Sequence, residues 1–287
     1  MTAPPRGHAP GMPGSLPAAL DRLRDVPRAA QRALRSRRPV AAAELTWLWK
    51  RRQGDPDIRL VDDLVRPGWQ VLDIGANWGL FTARLGKLVG PTGHVEAFEP
   101  LPVHAATLQA VAAQLPAVDV HMTALSDHEG QADLVIPVRE GEPLTALAHL
   151  DAPAPASAGE RRVPVPLRTL DAVLGEDHAP IDLVKCDVEG HELEVLRGGG
   201  ASARRRGRPA LVLEIEERHR PDGGVAEVFD YLRSIGYAGR AVRHDGIVPL
   251  DRFDVERDQL AHLQPGETVA HDMPRDYVNT FLFVAAG

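Results

Sequence analysis

The stretch Asp73-Ile-Gly75-Ala76-Asn77-Trp-Gly79 joins an apolar run, Gln70 to Ile74, to a helical pattern in which Phe81, Leu85 and Leu88 share a face. Apolar strand, acidic turn with two glycines, then helix is the opening of a nucleotide-type α/β sheet. The glycines allow positive φ and close backbone approach, and the helix start is expected to turn free N–H groups toward a ligand. A dinucleotide requires G-x-G-x-x-G around its pyrophosphate. Here Asn77 stands where the second fingerprint glycine belongs, and Asp73, two positions before Gly75, would repel a pyrophosphate. An amino-acid zwitterion suits this loop better, its ammonium meeting Asp73 directly or through water and its carboxylate meeting backbone N–H groups. Glu99 ends the next apolar run, His94 to Phe98, 26 residues beyond Asp73. A carboxylate there accepts from both hydroxyls of a ribose. Ala124-Leu125-Ser126-Asp127 follows a third run, Val118 to Met122, and a loop at such a strand end lines a base. Asp127 reads equally well as a turn residue. Amino acid, ribose and base together describe S-adenosylmethionine.

A second set of polar residues is Asp187-Val-Glu189-Gly-His191-Glu192, after the run Ile181 to Cys186, with Glu214 ending Ala210 to Glu214. A sulfonium methyl is already activated, so its transfer to an acceptor needs in-line positioning, worth ~7–11 kcal/mol in well-oriented systems. A base that takes the acceptor's proton adds ~10²–10⁴-fold. Asp187, ending a central strand beside the glycine loop, is expected in both donor binding and catalysis; its alternative role is capping the next helix. His191 opens that helix, whose positive end disfavours imidazolium and favours a neutral base. The alternative is a purely structural polar residue. Glu189, Glu192 and Glu214 are further base candidates. Asp187 and Glu214 also admit a Mg²⁺ reading, since carboxylate oxygens suit that ion and it would acidify a bound hydroxyl. No other metal site is expected.

These residues need a parallel sheet to bring them together. Residues 1–15 are rich in Pro and Gly and are expected to be disordered. Residues 16–59 read as a helical extension, Arg-rich from Leu16 to Arg38 with a break at Pro27, and stronger from Ala41 to Arg52. That helix brings Leu45, Leu48 and Trp49 to one side, whereas Trp47 either covers a site or packs the helix onto the sheet with Trp49. Residues 60–287 form the catalytic domain, entered through an amphipathic segment from Ile58 to Val65. Its later strands include Tyr237 to Val242 and Val278 to Val284, with Gln131 to Val138 as an extra strand or hairpin arm and 151–160 as a flexible excursion. The alternation implies one doubly wound α/β domain.

The net charge is −7, unevenly spread. Residues 1–59 hold twelve Lys/Arg against five Asp/Glu, a surplus of +7 that leaves −14 on the rest. An acidic catalytic body excludes nucleic acid as the expected substrate. The basic part reads as a solvated helix face, or as a contact for an acidic partner or membrane surface. No apolar run approaches the ~20 residues that span a bilayer. The N-terminus lacks the apolar core of a secretory signal, so a cytoplasmic enzyme is expected. The single cysteine, Cys186, leaves no intramolecular disulfide and no cluster of several thiolates.

The motifs VLDIGANWGLFT (71–82), EAFEP (96–100), ALSDHEG (124–130) and IDLVKCDVEGHELEVLRGG (181–199) resemble the FkbM-type S-adenosylmethionine-dependent methyltransferases. Leu211-Val-Leu-Glu214 and Asn279 to Val284 fit as well, so the resemblance covers roughly 60–285. It implies a seven-stranded, mostly parallel, Rossmann-like methyltransferase sheet with the last strand antiparallel. It also implies O-methylation of a small-molecule or glycan hydroxyl: a sugar, a glycolipid or a natural product. After Glu99-Pro100 the chain departs from the family's Asn-rich run, with Leu101-Pro-Val-His-Ala in its place. Two other classes share the scaffold, a nicotinamide-dependent oxidoreductase and a non-catalytic cofactor-binding protein.

Overall fold

A computed structural model of the protein describes residues 28–151, 155–175, 178–199, 208–220, 224–263 and 274–286. The tail expected over 1–15 and the helix expected before Pro27 lie outside the described residues. Among the described residues three helices come first, α1 (Arg28–Arg37), α2 (Pro39–Gln53) and α3 (Pro56–Leu64). Gly54 ends α2 in the left-handed region, and Asp55 immediately caps α3 by accepting from the N–H groups of Asp57 and Ile58. With Pro56 at its first position, α3 starts before the apolar periodicity does.

The main chain path is then β1 (Gln70–Ile74), α4 (Leu80–Val89), β2 (His94–Phe98), α5 (Pro102–Ala112) and β3 (Val118–His121). An inserted unit follows, made of β4 (Ala124–Ser126), β5 (Gly130–Arg139), β6 (Glu142–Pro143), β7 (His149–Asp151) and β8 (Glu160–Thr169). The chain returns through α6 (Leu170–Leu174), β9 (Leu183–Cys186), α7 (Glu192–Gly198) and β10 (Ala210–Glu214). It closes with α8 (Gly224–Ser234), β11 (Tyr237–Arg243), β12 (Gly246–Pro249), α9 (Val255–Asp258) and β13 (Thr280–Ala285).

The sheet order is β12-β11-β13-β10-β9-β1-β2-β3. β3, β2, β1, β9 and β10 are mutually parallel, and β13 enters antiparallel between β10 and β11. All seven expected strands are present, and an eighth, β12, is added at the edge as the return arm of a hairpin with β11. The chain winds outward from β1 to β3 and then restarts at β9 on the other side of β1, so the topological switch lies between β1 and β9. Ligands of open α/β sheets bind outside the carboxyl ends at that point.

Gln131–Val138 belongs to a second sheet of five strands, ordered β4-β8-β5-β6 with β7 also on β5. Val163, Val165 and Leu167 alternate with Pro164 and Pro166, so the valyl and leucyl side chains pack inward with Leu134 and Ile136 while the prolines face outward. The excursion expected over 151–160 is shorter than its composition suggests. Asp151 closes β7 and Glu160 opens β8, and of the residues between them 152–154 lie outside the described residues.

Helices cover both faces. On one, Trp47 of α2 is 2% exposed, meets Phe81 edge-to-face at 5.2 Å and turns its indole N–H to Asp62 of α3. Leu48, expected on the packed side, is 42% exposed, because the burial face of α2 runs through Val40, Ala43 and Trp47. Lys185 is a buried cation, which β-sheet register places beside Asp73. Its ammonium lies 3.2 Å from Asp187 and 3.9 Å from Asp73, and 4.9 Å from the centre of the Phe81 ring.

Trp47→Ala is expected to cost ~3–5 kcal/mol in urea denaturation through the lost ring volume, whereas Leu48→Ala stays within ~0.5 kcal/mol. Lys185→Met is expected to cost ~3–5 kcal/mol at pH 8, because the buried Asp73 carboxylate is left without its counter-charge. The loss shrinks toward pH 5. Burial already raises the Asp73 pKa, Lys185 works against that rise, and without the lysine the folded state takes up a proton that the unfolded state does not hold. Parallel denaturation curves at the two pH values check this.

Candidate active site

Three loops meet at the switch point, one each from the carboxyl ends of β1, β2 and β9. Gly75 has φ +81°, and a Cβ on it would stand 1.8 Å from the carbonyl oxygen of Asp187. Only glycine lets these two backbones touch. Asn77 holds φ 51° without being glycine, and Glu189 holds φ 54° in the loop after β9. Both line the same cleft, which fits a site where neighbouring structure enforces a costly backbone.

The glycine loop is more self-contained than its residue types suggest. The N–H groups of Gly75 and Ala76 both donate to the Phe98 carbonyl at 3.0 Å, and that of Gly79 to the Ala76 carbonyl at 2.9 Å. Asn77 N–H donates to Glu99 Oε2 and Trp78 N–H to Asn77 Oδ1, each at 2.8 Å. The N–H groups of the loop itself are therefore already taken up within the protein. The carbonyl ending β2 and the side chains of Glu99 and Asn77 reach them first.

Glu99 is almost fully buried, its Oε1 accepting from Leu101 N–H at 2.8 Å and its Oε2 from Asn77. Each oxygen keeps a second lone pair. Burial pushes its pKa up to about 7, against the pull of the two backbone N–H groups. Asp73 is fully buried beneath the loop, with Oδ2 accepting from the Thr82 hydroxyl at 2.6 Å and Oδ1 without a hydrogen bond. Lys185 is held above the ordinary lysine range. Burial opposes its charge, but Asp187, Asp73 and Glu214 outweigh that cost.

The cleft brings together Gly75, Asn77, Glu99, Leu125 and Asp187 from the expected set, with Ile74, Phe98 and Glu189. Ala76 instead packs downward against Ala97 and Leu108, and Gly79 caps α4. Ser126 is fully buried, and its hydroxyl lies 3.0 Å from His191 Nε2. Asp127 pairs with the His128 ring at 2.7 Å near the surface, apart from the cleft lining. The His191 ring sits between Ser126 and Glu194, and burial lowers its pKa. Glu189 does line the cleft, and its Oε2 is 3.0 Å from His219 Nδ1. Glu192, a base candidate by sequence, is buried and accepts from Gly190 N–H at 2.9 Å, tying the loop to α7.

Glu214 accepts from the Asn279 amide, and burial, then Asp187 and Asp57, raise its pKa well above the carboxylate range. Lys185 and Thr145 to Leu150 are the contributors the motifs did not reveal. A lone lysine inside an apolar strand was the available signal for Lys185. The 145–150 segment arrives with the second sheet and has no sequence mark. A separate cavity of about 410 Å³ lies between α1, α2 and the loop residue Trp78. Leu34, Leu45, Trp49 and Leu80 line it, and the Arg35 guanidinium stacks on Trp78 at 4.2 Å.

Among the described residues, no helix is long and apolar enough to cross a membrane. The fold resembles a methyltransferase FkbM from Methylobacillus flagellatus (16% identity, TM-score 0.46), with 92% of this chain covering 60% of that one. A fibrillarin from Aeropyrum pernix with bound S-adenosylmethionine aligns over 77% of this chain and 67% of its own (13% identity, TM-score 0.43). The O-methyltransferase TomG of tomaymycin synthesis, from Streptomyces achromogenes, aligns over 82% and 80% (14% identity, TM-score 0.41). No curated protein matches the sequence. Residues 73–238, more than half of the chain and all three strand-end loops of the cleft, match the sequence profile of the methyltransferase FkbM domain. The chain belongs to the FkbM family of S-adenosylmethionine-dependent methyltransferases.

Proposed function

We propose that the protein transfers a methyl group from S-adenosylmethionine to a hydroxyl of a small natural product or glycolipid. The observation that carries this reading is the buried Glu99 carboxylate, clamped to the glycine loop by Asn77 N–H at the switch point, with Asp187 facing it across the cleft. The residues suit the donor part by part. Glu99 offers lone pairs to a ribose diol, and Leu125 with Phe98 offers an apolar wall to a base. When bound, S-adenosylmethionine supplies an activated methyl group.

What remains for the chain is to place an alcohol and receive its proton. The cavity between α1 and α2 shares the glycine loop with the cleft through Trp78. Its size lies in the ~300–1,000 Å³ range of ligand pockets. Its leucyl and indole lining favours an acceptor with an apolar body over a free sugar. Asp187 is assigned to the site, and the base is sought in His191 or in Glu189 backed by His219. The Glu189 reading is favoured by its place on the cleft wall.

Calorimetry with S-adenosylmethionine and NAD separates the methyltransferase reading from an oxidoreductase, with binding expected for the first alone. Hydroxyl donors favour the ionised form of Glu99, so binding releases its proton. Affinity is expected to rise about tenfold per pH unit below about 7 and to level off above it. Glu99→Gln flattens that slope and weakens binding by ~1.5–3 kcal/mol. Unchanged affinity in a folded variant removes Glu99 from the site.

For catalysis, a base variant is expected to lose ~10²–10⁴-fold in kcat with donor affinity intact. That loss in Glu189→Gln, with a mild His191→Ala, selects the carboxylate; the reverse pattern selects the histidine. Loss of turnover on adding a chelator, restored by Mg²⁺ and mirrored in Asp187→Asn and Glu214→Gln, would instead establish a metal-assisted reaction.

A further inference from the structure

On the outer half of the sheet, away from the donor cleft, a second polar cluster serves none of the steps above. β2 carries His94 and Glu96 two residues apart, and β3 carries Asp119 and His121 two residues apart. Residues so spaced share one face of a strand. The register pairs Glu96 with Asp119, which brings all four to adjacent positions on one face. His94 Nε2 lies 3.1 Å from Glu96 Oε1 and 3.3 Å from Asp119 Oδ2. One ring nitrogen thus faces two carboxylates, and a single N–H cannot bond both in line. His178, from the segment before β9, brings Nε2 to 3.6 Å from the same Glu96 Oε1. Its Nδ1 is 2.7 Å from the Ala179 carbonyl. That arrangement is the one seen in metal-ligating histidines, where a backbone carbonyl fixes the tautomer. The other carboxylate oxygen, Oε2, is bonded to His121 Nε2.

We propose that His94 Nε2, Glu96 Oε1 and Asp119 Oδ2 bind a Zn²⁺ ion, with His178 or water in the fourth position and His121 orienting Glu96 from behind. Imidazole and carboxylate together suit zinc, whose ligands lie at ~2.0–2.2 Å in a tetrahedron. Ligand atoms on such a tetrahedron are about 3.3 Å apart. The separations of 3.1 and 3.3 Å around His94 Nε2 match that edge without movement of either strand. The ion would pin edge strand β3 to β2. Through His121, stacked on Phe98 at 4.7 Å, it would also stiffen one wall of the donor cleft.

The test is Zn²⁺ titration of the untagged full chain by calorimetry, with thermal denaturation alongside. One ion per chain is expected, with Kd below about 10 µM and a raised Tm. Mg²⁺, which prefers an all-oxygen octahedron, is expected to do neither. His94→Ala and Asp119→Asn should each weaken Zn²⁺ at least tenfold, His178→Ala less, and His149→Gln not at all. X-ray absorption of the zinc-loaded parent should show only nitrogen and oxygen neighbours with imidazole scattering, which keeps the idea testable if a variant misfolds. Absence of binding, a sulfur neighbour, or undiminished affinity in folded His94→Ala and Asp119→Asn would overturn the site. These readings do not involve S-adenosylmethionine, so they stand or fall apart from the methyltransfer reading.

Discussion

The ammonium of Lys185 is what allows the strand ends to be as acidic as the site requires. Asp73, Asp187 and Glu214 end or adjoin β1, β9 and β10, the three strands at the centre of the sheet, and each acts on this one cation. An isolated carboxylate in such a place would take up a proton to avoid the desolvation cost. With Lys185 beside it, Asp73 can remain an acceptor below the glycine loop, one oxygen taking the Thr82 hydroxyl and the other facing the ammonium. The charge must sit on β9, because the parallel register sets Lys185 directly beside Asp73. A lysine one residue away would point to the opposite face of the sheet.

Backbone contact is the second constraint, and it follows from the first. To lie over one buried cation, the loops after β1 and β9 must come within van der Waals reach, which is where Gly75 meets the Asp187 carbonyl. The same crowding accounts for the internal hydrogen bonding of the glycine loop. Phe98, at the end of β2, presents its carbonyl to two successive N–H groups, and Glu99 takes a third. The loop is thereby rigid before any ligand arrives, and recognition passes to side chains and to the remaining lone pairs of Glu99. Preorganisation of that kind reduces the ordering cost of binding.

Much of this was legible in the residues. Apolar runs ending in acidic residues located the central strands, and the DVEGHE block located the second half of the site. What could not be read depends on contacts between distant segments. The direction of the His191 ring is decided by the Ser126 hydroxyl, 65 residues away. The fate of the Gly75 and Ala76 N–H groups is decided by a carbonyl on another strand. On α2 the apolar pattern has two candidate faces, and the choice of Trp47 over Leu48 is made by Phe81 and Asp62. The strand signal of Gln131–Val138 was visible, but its partner lay beyond a proline-rich stretch that reads as loop. Lys185 was open to inference, since a charged residue inside a buried strand demands partners.

The uneven charge of the chain also acquires a physical meaning. The basic N-terminal helices face the acidic strand ends, and Lys50 is a concrete link. Burial acts against its ammonium, but Asp55, at 2.8 Å, then Asp57 and more distantly Glu214 raise its pKa. Arg51 pairs with Asp62, and Arg84 of α4 lies 2.7 Å from the same carboxylate. The solvated-face reading of this segment therefore holds for only part of it. Some of its cations are spent inside the fold, closing α2 and α3 over the edge of the catalytic sheet. Arg35 lies half-buried over Trp78 with burial lowering its pKa. It stands at the boundary between the apolar cavity and the glycine loop, so the same helices that balance the acidic site also shape the approach to it.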